Sequence, residues 1–258
     1  MITNKDILID MHTHSIFSKH AFSTIEENIK EAKNKNLKYM VVSDHFIGNG
    51  DYIDKKNEVD RIINIQKRIN RFDQSFKIIG SAEFNLNQDI ENWNKLKNLK
   101  WKPVGLHTWF VDTNLLDLED AYDLFIKAYD KYSFNCFVHI DREFENFKDG
   151  KYINKDISII KKEVQEWFYQ ICTFAKRNDI FIEINEGSLV NDVCGGINRV
   201  KVLLEIAKEN KNIITLGTDA HYSKEVGDFS IGLQLLNEID FPKKLILNCD
   251  EEMIKTFI

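Results

Sequence analysis

Short apolar runs alternate with longer helical stretches from one end of this 258-residue chain to the other. Nothing else in the sequence narrows the fold as much. The runs lie at 7–11, 37–42, 76–79, 103–106, 134–138, 180–184 and 213–216. Apolar runs without polar alternation suit strands of a parallel sheet covered on both faces. Helices are expected between them at 24–36, 54–71, 88–98, 118–132, 156–178, 197–210, 228–238 and 250–257. Ser23 or Thr24 caps the first, with Glu26 and Glu27 favourable in its opening turn. An eighth short strand is expected at 245–247, after Pro242. Seven or eight βα repeats point to a closed barrel more than to an open sheet. With no linker-like tract, one α/β domain over residues 1–258 is expected.

Hydrophobic residues make up 43% of the chain, enough for a sizeable core. The net charge of −6 argues against a general nucleic-acid or anionic-membrane surface, while leaving room for a local phosphate pocket. Cys136, Cys172, Cys194 and Cys249 are scattered and form no Cys-x-x-Cys pair, which reads as reduced thiols. The N-terminus carries no apolar leader and no segment is long enough to span a membrane. The expectation is a soluble cytoplasmic protein with no nucleic-acid or membrane partner. Its oligomeric state is not legible.

Of the seven histidines, His12, His14, His45, His107, His139 and His221 fall at or just beyond strand ends, and His20 lies in the loop directly after the first strand. In α/β barrels that end of the strands carries the chemistry. On a strand, side chains two apart share a face, so His12 and His14 aim at one point, as do Asp219 and His221. Glu83 and Asp219 occupy equivalent positions, and a carboxylate there is costly to bury without a partner or a metal. Asp10 and Asp44 adjoin candidate ligands and read as supports for them. These nine candidates exceed what one ion takes, so two or three ions are expected, with at least one carboxylate shared. A mostly imidazole set without thiolates favours Zn, Mn or Fe over Mg or Ca.

Taken together, His12-Thr-His14-Ser, His20-Ala-Phe-Ser-Thr, Ser43-Asp44-His45, Glu83, His107, His139 and Gly217-Thr-Asp219-Ala-His221 resemble the PHP (polymerase and histidinol phosphatase) superfamily. The likeness covers nearly the whole chain and is similar to the small stand-alone bacterial phosphatases. Glu183-Ile-Asn185 and the run 240–248 share in it. The resemblance implies a distorted TIM-like (β/α)7 barrel with a trinuclear metal centre at the C-terminal strand ends. It implies one ion on His12, His14, Glu83 and Asp219, a second on Glu83, His107 and His139, and a third on His20, His45 and His221. It also implies a metal-bridging hydroxide attacking phosphorus, with Glu83, Asp219 and His221 in the catalytic set.

After His139 the chain departs from that pattern, with Ile140-Asp141-Arg142-Glu143. Arg142 is a candidate catalytic and substrate-binding clamp on phosphate, or else a surface partner of Glu143 or Glu145. Lys19 and Arg199 are weaker substrate-binding candidates. Trp109 and Phe110 form either an apolar wall or part of the core.

The expected function is metal-dependent hydrolysis of a small phosphomonoester, with histidinol phosphate among the candidates. The alternatives are a phosphodiesterase or exonuclease of the same superfamily, a metal-dependent amidohydrolase, and a non-catalytic metal-binding regulator. No strand-end Lys is placed to bridge metals after carboxylation, which weighs against the amidohydrolase.

Overall fold

The computed structural model describes residues 1–46, 58–86, 93–107, 116–142, 147, 150–153, 156, 158–191 and 196–258. The expected loop at 47–52, Trp109, Phe110, Glu143, Glu145 and Cys194 lie outside them. Eight strands appear among these residues: β1 (Ile9–Asp10), β2 (Tyr39–Val42), β3 (Lys77–Gly80), β4 (Phe84–Asn85), β5 (Pro103–Gly105), β6 (Cys136–Phe137), β7 (Phe181–Asn185) and β8 (Ile214–Gly217). The helices are α1 (Ile25–Asn34), α2 (Glu58–Phe72), α3 (Leu118–Tyr132), α4 (Lys162–Arg177), α5 (Glu186–Asn191), α6 (Gly196–Asn210), α7 (Ser230–Glu238) and α8 (Glu251–Lys255). None of the described helices is long and apolar enough to cross a membrane.

Every strand pairing among the described residues is parallel. One sheet runs β1-β2-β3 and the other runs β4 through β8 in order. β3 leads directly into β4, and a bridge between His45 and Glu83 extends the pairing across that step. At the opposite edges, the residues after β1 meet those after β8. His14 N donates to the Ala220 carbonyl (2.9 Å), and Asp219 N donates to the His12 carbonyl (2.8 Å).

The core divides by strand face, as alternation requires. Met40, Val42, Ile78, Phe137, Ile182, Ile214 and Leu216 pack against the helices. Ile9, Met11, Tyr39, Val41, Ile79, Cys136 and Val138 form a second cluster with Trp101, Leu247 and Ile254. Two-residue steps along this second face lead from Val41 to His45, from Ile79 to Glu83, and from Phe181 to Glu183. The strands thus aim polar groups to the same side that buries the smaller apolar cluster.

Four helices, α1, α4, α6 and α7, end by one device. Asn36, Asp179, Lys211 and Asp240 all take left-handed backbone just after a helix. The next residue then closes a six-residue hydrogen bond back into the last turn: Leu37 N to Ala32 O, Ile180 N to Ala175 O, Asn212 N to Ala207 O and Phe241 N to Leu236 O. These turns satisfy helix carbonyls and, after α1 and α4, place an apolar residue, Leu37 or Ile180, just ahead of β2 or β7.

Four sequence expectations need correction. The helix expected at 156–178 begins at Lys162, because Asp156 accepts Ser158 N (3.0 Å) and holds a turn there instead. Residues 186–191, where no helix was expected, form α5, because Asn185 Oδ1 caps it by accepting Ser188 N (2.9 Å). The eighth strand at 245–247 is absent. Ile246 makes a single bridge with Ile214, between two short 3-10 turns. The Asn248 side chain takes over the strand's role, donating to the carbonyls of Ile9 (2.9 Å) and Leu216 (2.8 Å) and accepting Leu216 N (2.7 Å). The expected helix at 88–98 is represented among the described residues by a 3-10 turn, Trp93–Asn98.

Candidate metal centre

The nine side chains singled out from the sequence meet in one cluster. Glu83, with its side chain 1% exposed, lies at the middle. Its Oε1 is 2.9 Å from His107 Nε2 and 2.5 Å from His139 Nε2, and its Oε2 is 2.9 Å from His45 Nδ1. Oε2 also lies 3.5 Å from the Nε2 atoms of both His12 and His14. Asp219 Oδ1 is 3.0 Å from His14 Nε2 and 3.6 Å from His12 Nε2. His20 Nε2 is 2.7 Å from His221 Nε2 and 3.3 Å from His45 Nε2.

Backbone geometry delivers two of these groups. His139 (φ 39°) and Asp219 (φ 56°) are left-handed, and neither ends a helix. At His139 the positive φ breaks the alternation that Val138 follows and turns the next side chain inward. A non-glycine residue in this region is strained, a cost that active sites commonly carry. Gly105 makes room for the result, since a Cβ there would lie 2.4 Å from His139 Cε1.

Tautomers can be read from the partners of three rings. Ser18 Oγ donates to Asp44 Oδ1 (2.8 Å), so it accepts from His14 Nδ1 (2.9 Å). His12 Nδ1 faces Glu183 Oε1 (2.7 Å), and His221 Nδ1 faces the Asp219 carbonyl (2.8 Å). Carboxylate and carbonyl oxygens only accept, so each Nδ1 carries a hydrogen. In the neutral ring each Nε2 then presents a lone pair to the cluster.

The electrostatics favour ligand-type protonation at several groups. Burial opposes ionisation of Glu83, yet His107, His45, His12 and His139 hold its carboxyl well below the usual range. Asp219 is also held well below despite burial, by Arg142, His12 and His14. Burial pushes His14 well below the ordinary imidazole value, and it brings His20 down to about 4 together with His221 and His45. His12 and His45 go the other way: nearby carboxylates, Glu183 and Glu83 foremost, outweigh burial.

Among the described residues, three sets of donors have ligating atoms within 4.8 Å of one another: His12/His14/Asp219, His14/His45/His221 and His45/Glu83/His107. The donor set fits transition-metal ions, being mostly imidazole with two carboxylates and no thiolate. Glu83 Oε2 is buried with no donor in hydrogen-bonding geometry among the described residues, although His45 Nδ1 is close by. A buried carboxylate oxygen in that state suits a cation.

Beside the cluster lies a cavity of about 610 Å³, lined by His20, Arg142, Glu186, Val190, Asp219 and His221 among others. Arg142 spans its wall. Its Nη1 is 2.9 Å from Asp219 Oδ2, its Nε donates to Ser188 Oγ (2.7 Å), and its Nη2 donates to Asn185 Oδ1 (3.1 Å). Lys19 and Arg199 are not among the residues lining this cavity. Lys19 is exposed. Arg199 is buried in α6, where its Nε donates to the Asp141 carbonyl (3.1 Å).

Sequence reasoning gave Glu183 no role, and Ser18 none. Glu183 accepts from His12, from His139 N (3.1 Å) and from Asn185 Nδ2 (2.9 Å). Its signal was there: a lone acid inside the apolar run Ile180-Phe-Ile-Glu-Ile184. Ser18 left no comparable mark, because a loop serine is ordinary.

Residues 10–187 match the PHP domain family. A protein named probable phosphatase from Clostridium acetobutylicum is 26% identical over 255 residues, covering 97% of this chain and 94% of the relative. Another of that name, from Caldanaerobacter subterraneus, is 27% identical over 266 residues, covering 98% and 91%. Among solved structures, histidinol phosphate phosphatase from Lactococcus lactis, complexed with zinc, L-histidinol and phosphate, matches with a TM-score of 0.64 at 18% identity, covering 91% of this chain and 94% of that one. A chain of an archaeal ribonuclease P complex with mature tRNA matches at 0.56 and 16% identity, covering 95% and 90%.

Proposed function

This chain belongs to the PHP domain family, and on that premise we propose that it is a metal-dependent phosphatase acting on a small phosphomonoester, with histidinol phosphate the first substrate to test. One observation carries the reading: strand ends from distant parts of the sequence bring seven imidazoles and two carboxylates into one contact network beside a ligand-sized cavity. The paired sheets and the hydrogen bonds joining their outer edges are read as the wall of a distorted (β/α)7 barrel with its chemistry at the C-terminal strand ends.

The residues fit two to three ions, of Zn, Mn or Fe type. His12, His14 and Asp219 would hold one, with Glu83 shared toward a second on His107 and His139. His20, His45 and His221 would hold a third. Such ions, when bound, neutralise phosphoryl oxygens and bring water's pKa toward neutrality.

The protein's own part is binding and orientation. Glu83 and Asp219, held ionised by their neighbours, keep the centre's charge balanced. Arg142 has used three of its five N–H groups on Asp219, Asn185 and Ser188 among the described residues, and its guanidinium borders the cavity. From there it can bind a phosphoryl oxygen while holding the far side of Asp219. The cavity, at about 610 Å³, takes a metabolite-sized leaving group.

Phosphate release from a panel of phosphorylated metabolites and from p-nitrophenyl phosphate, compared with its bis-ester, tests the reading on metal-reconstituted protein. Turnover of monoesters over the bis-ester is expected. Preference for the bis-ester would make this a phosphodiesterase, and no turnover of any phosphoester would overturn the assignment.

A further inference from the structure

Five side chains form a closed ring around the corner made by His12 and Asp219. His12 Nδ1 donates to Glu183 Oε1 (2.7 Å), and Glu183 Oε2 accepts from Asn185 Nδ2 (2.9 Å). Asn185 Oδ1 accepts from Arg142 Nη2 (3.1 Å), and Arg142 Nη1 meets Asp219 Oδ2 (2.9 Å). Asp219 Oδ1 then returns to within 3.6 Å of His12 Nε2. The ring therefore joins a candidate metal corner to the candidate phosphate clamp.

We propose that Glu183 is the positioning residue of this site: one buried carboxylate presents His12 Nε2 to the metal and, through Asn185, aims Arg142 into the cavity. The inference rests on the metal-dependent phosphatase reading above.

The chemistry at Glu183 leaves little freedom. Its side chain is 1% exposed and meets three donors: His12 Nδ1, the His139 amide and Asn185 Nδ2. Only an acceptor on both oxygens satisfies all three. Asn185 is likewise fixed. Its NH2 must face the carboxylate, and its oxygen must face the guanidinium and Ser188 N. Glycine at 217 keeps this contact possible, since a Cβ there would lie 2.3 Å from Glu183 Oε1 and 2.5 Å from His12 Cβ.

Glu183→Gln keeps the volume but replaces one acceptor by a donor. If the new NH2 faces His12, the ring must put its hydrogen on Nε2, and the lone pair aimed at the metal is lost. If it faces the other way, two donors oppose it at His139 N and Asn185. Both outcomes damage the site without changing any ligand.

The test is zinc and inorganic phosphate binding by purified full-length variants, with folding checked by circular dichroism. Zinc affinity is read by competition with a chromophoric chelator, and phosphate affinity by calorimetry on zinc-saturated protein. Glu183→Gln is expected to weaken zinc about 10–100-fold, the usual cost of losing a partner behind a ligand. Spectra of 15N-histidine-labelled, zinc-saturated protein should show the His12 hydrogen on Nδ1 in wild type, and that signal should be lost in the variant if the amide NH2 faces His12, or shifted if the amide oxygen does. Asn185→Ala leaves the His12–Glu183 contact in place. It is expected to keep zinc affinity within about threefold and weaken phosphate about tenfold. The inference is overturned if Glu183→Gln binds zinc within about threefold of wild type with an unchanged His12 signal. It is equally overturned if Asn185→Ala leaves phosphate affinity unchanged. Wild-type protein that binds no zinc would remove the metal-centre reading itself, a result distinct from both.

Discussion

His12 and Asp219 each face several of the other candidates, so single changes there should be the most damaging. His12→Ala and Asp219→Asn are expected to reduce phosphomonoester turnover by at least about a hundredfold and to lower bound metal. Their far-ultraviolet circular dichroism should stay native, because neither group supports the apolar core. Arg142→Ala separates binding from ligation. Its KM for phosphomonoesters should rise about tenfold, with a smaller fall in metal content from the loosened Asp219. An unchanged KM would remove Arg142 from substrate binding. The convergence of these candidates was foreshadowed by their placement at strand ends, and spacing of two residues paired His12 with His14 and Asp219 with His221. Asp10 and Asp44 were legible as supports because they adjoin candidates, but Glu183 and Ser18 were not. Glu183 reaches His12 across 171 positions, and Ser18 links His14 to Asp44 from within a loop. Which partners such residues meet depends on how elements pack; the local pattern marks Glu183 only as a lone acid in an apolar run, and Ser18 not at all. Arg199 shows the opposite error. A lone arginine invites a phosphate role, yet the packing of α6 buries it against the Asp141 carbonyl.

Element identity was easier to read than element ends. Seven apolar runs became strands because each is short, continuous and flanked by helix periodicity. The errors came where a polar side chain replaced backbone pairing: Asp156 delaying α4, Asn185 starting α5, and Asn248 standing in for a last strand. Helix ends carry a testable cost. Lys211 holds left-handed backbone (φ 57°) after α6, where a side chain clashes and glycine does not. Lys211→Gly should therefore raise unfolding free energy by about 0.5–1 kcal/mol in urea, with the midpoint moving and the slope unchanged. A drop in stability would show that Lys211 contributes some contact that outweighs its strained backbone.

For the molecule as a whole, buried acids make stability depend on pH. Glu186 accepts from Ile231 N (2.6 Å) and Gly232 N (2.9 Å) at the start of α7. Burial outweighs those hydrogen bonds and pushes its carboxyl up to about 7 from an ordinary 4.5. Between those values the unfolded chain is ionised at Glu186 while the folded chain holds the proton. The folded state binds more protons, so stability falls as pH rises through the window. The loss from this one group is roughly 3 kcal/mol. Glu186→Gln should flatten the decline in unfolding free energy between pH 4.5 and 7 by about that much in metal-stripped protein. Equal slopes in the two proteins would deny Glu186 this role.

Convergence of the strand ends on a shared cation cluster is measured most directly by metal content. Protein purified without chelators should carry two to three transition-metal ions per chain by plasma mass spectrometry, and stripping them should abolish phosphate release until they are restored. Folded wild-type protein with less than one ion per chain, and no uptake on reconstitution, would contradict the metal centre outright.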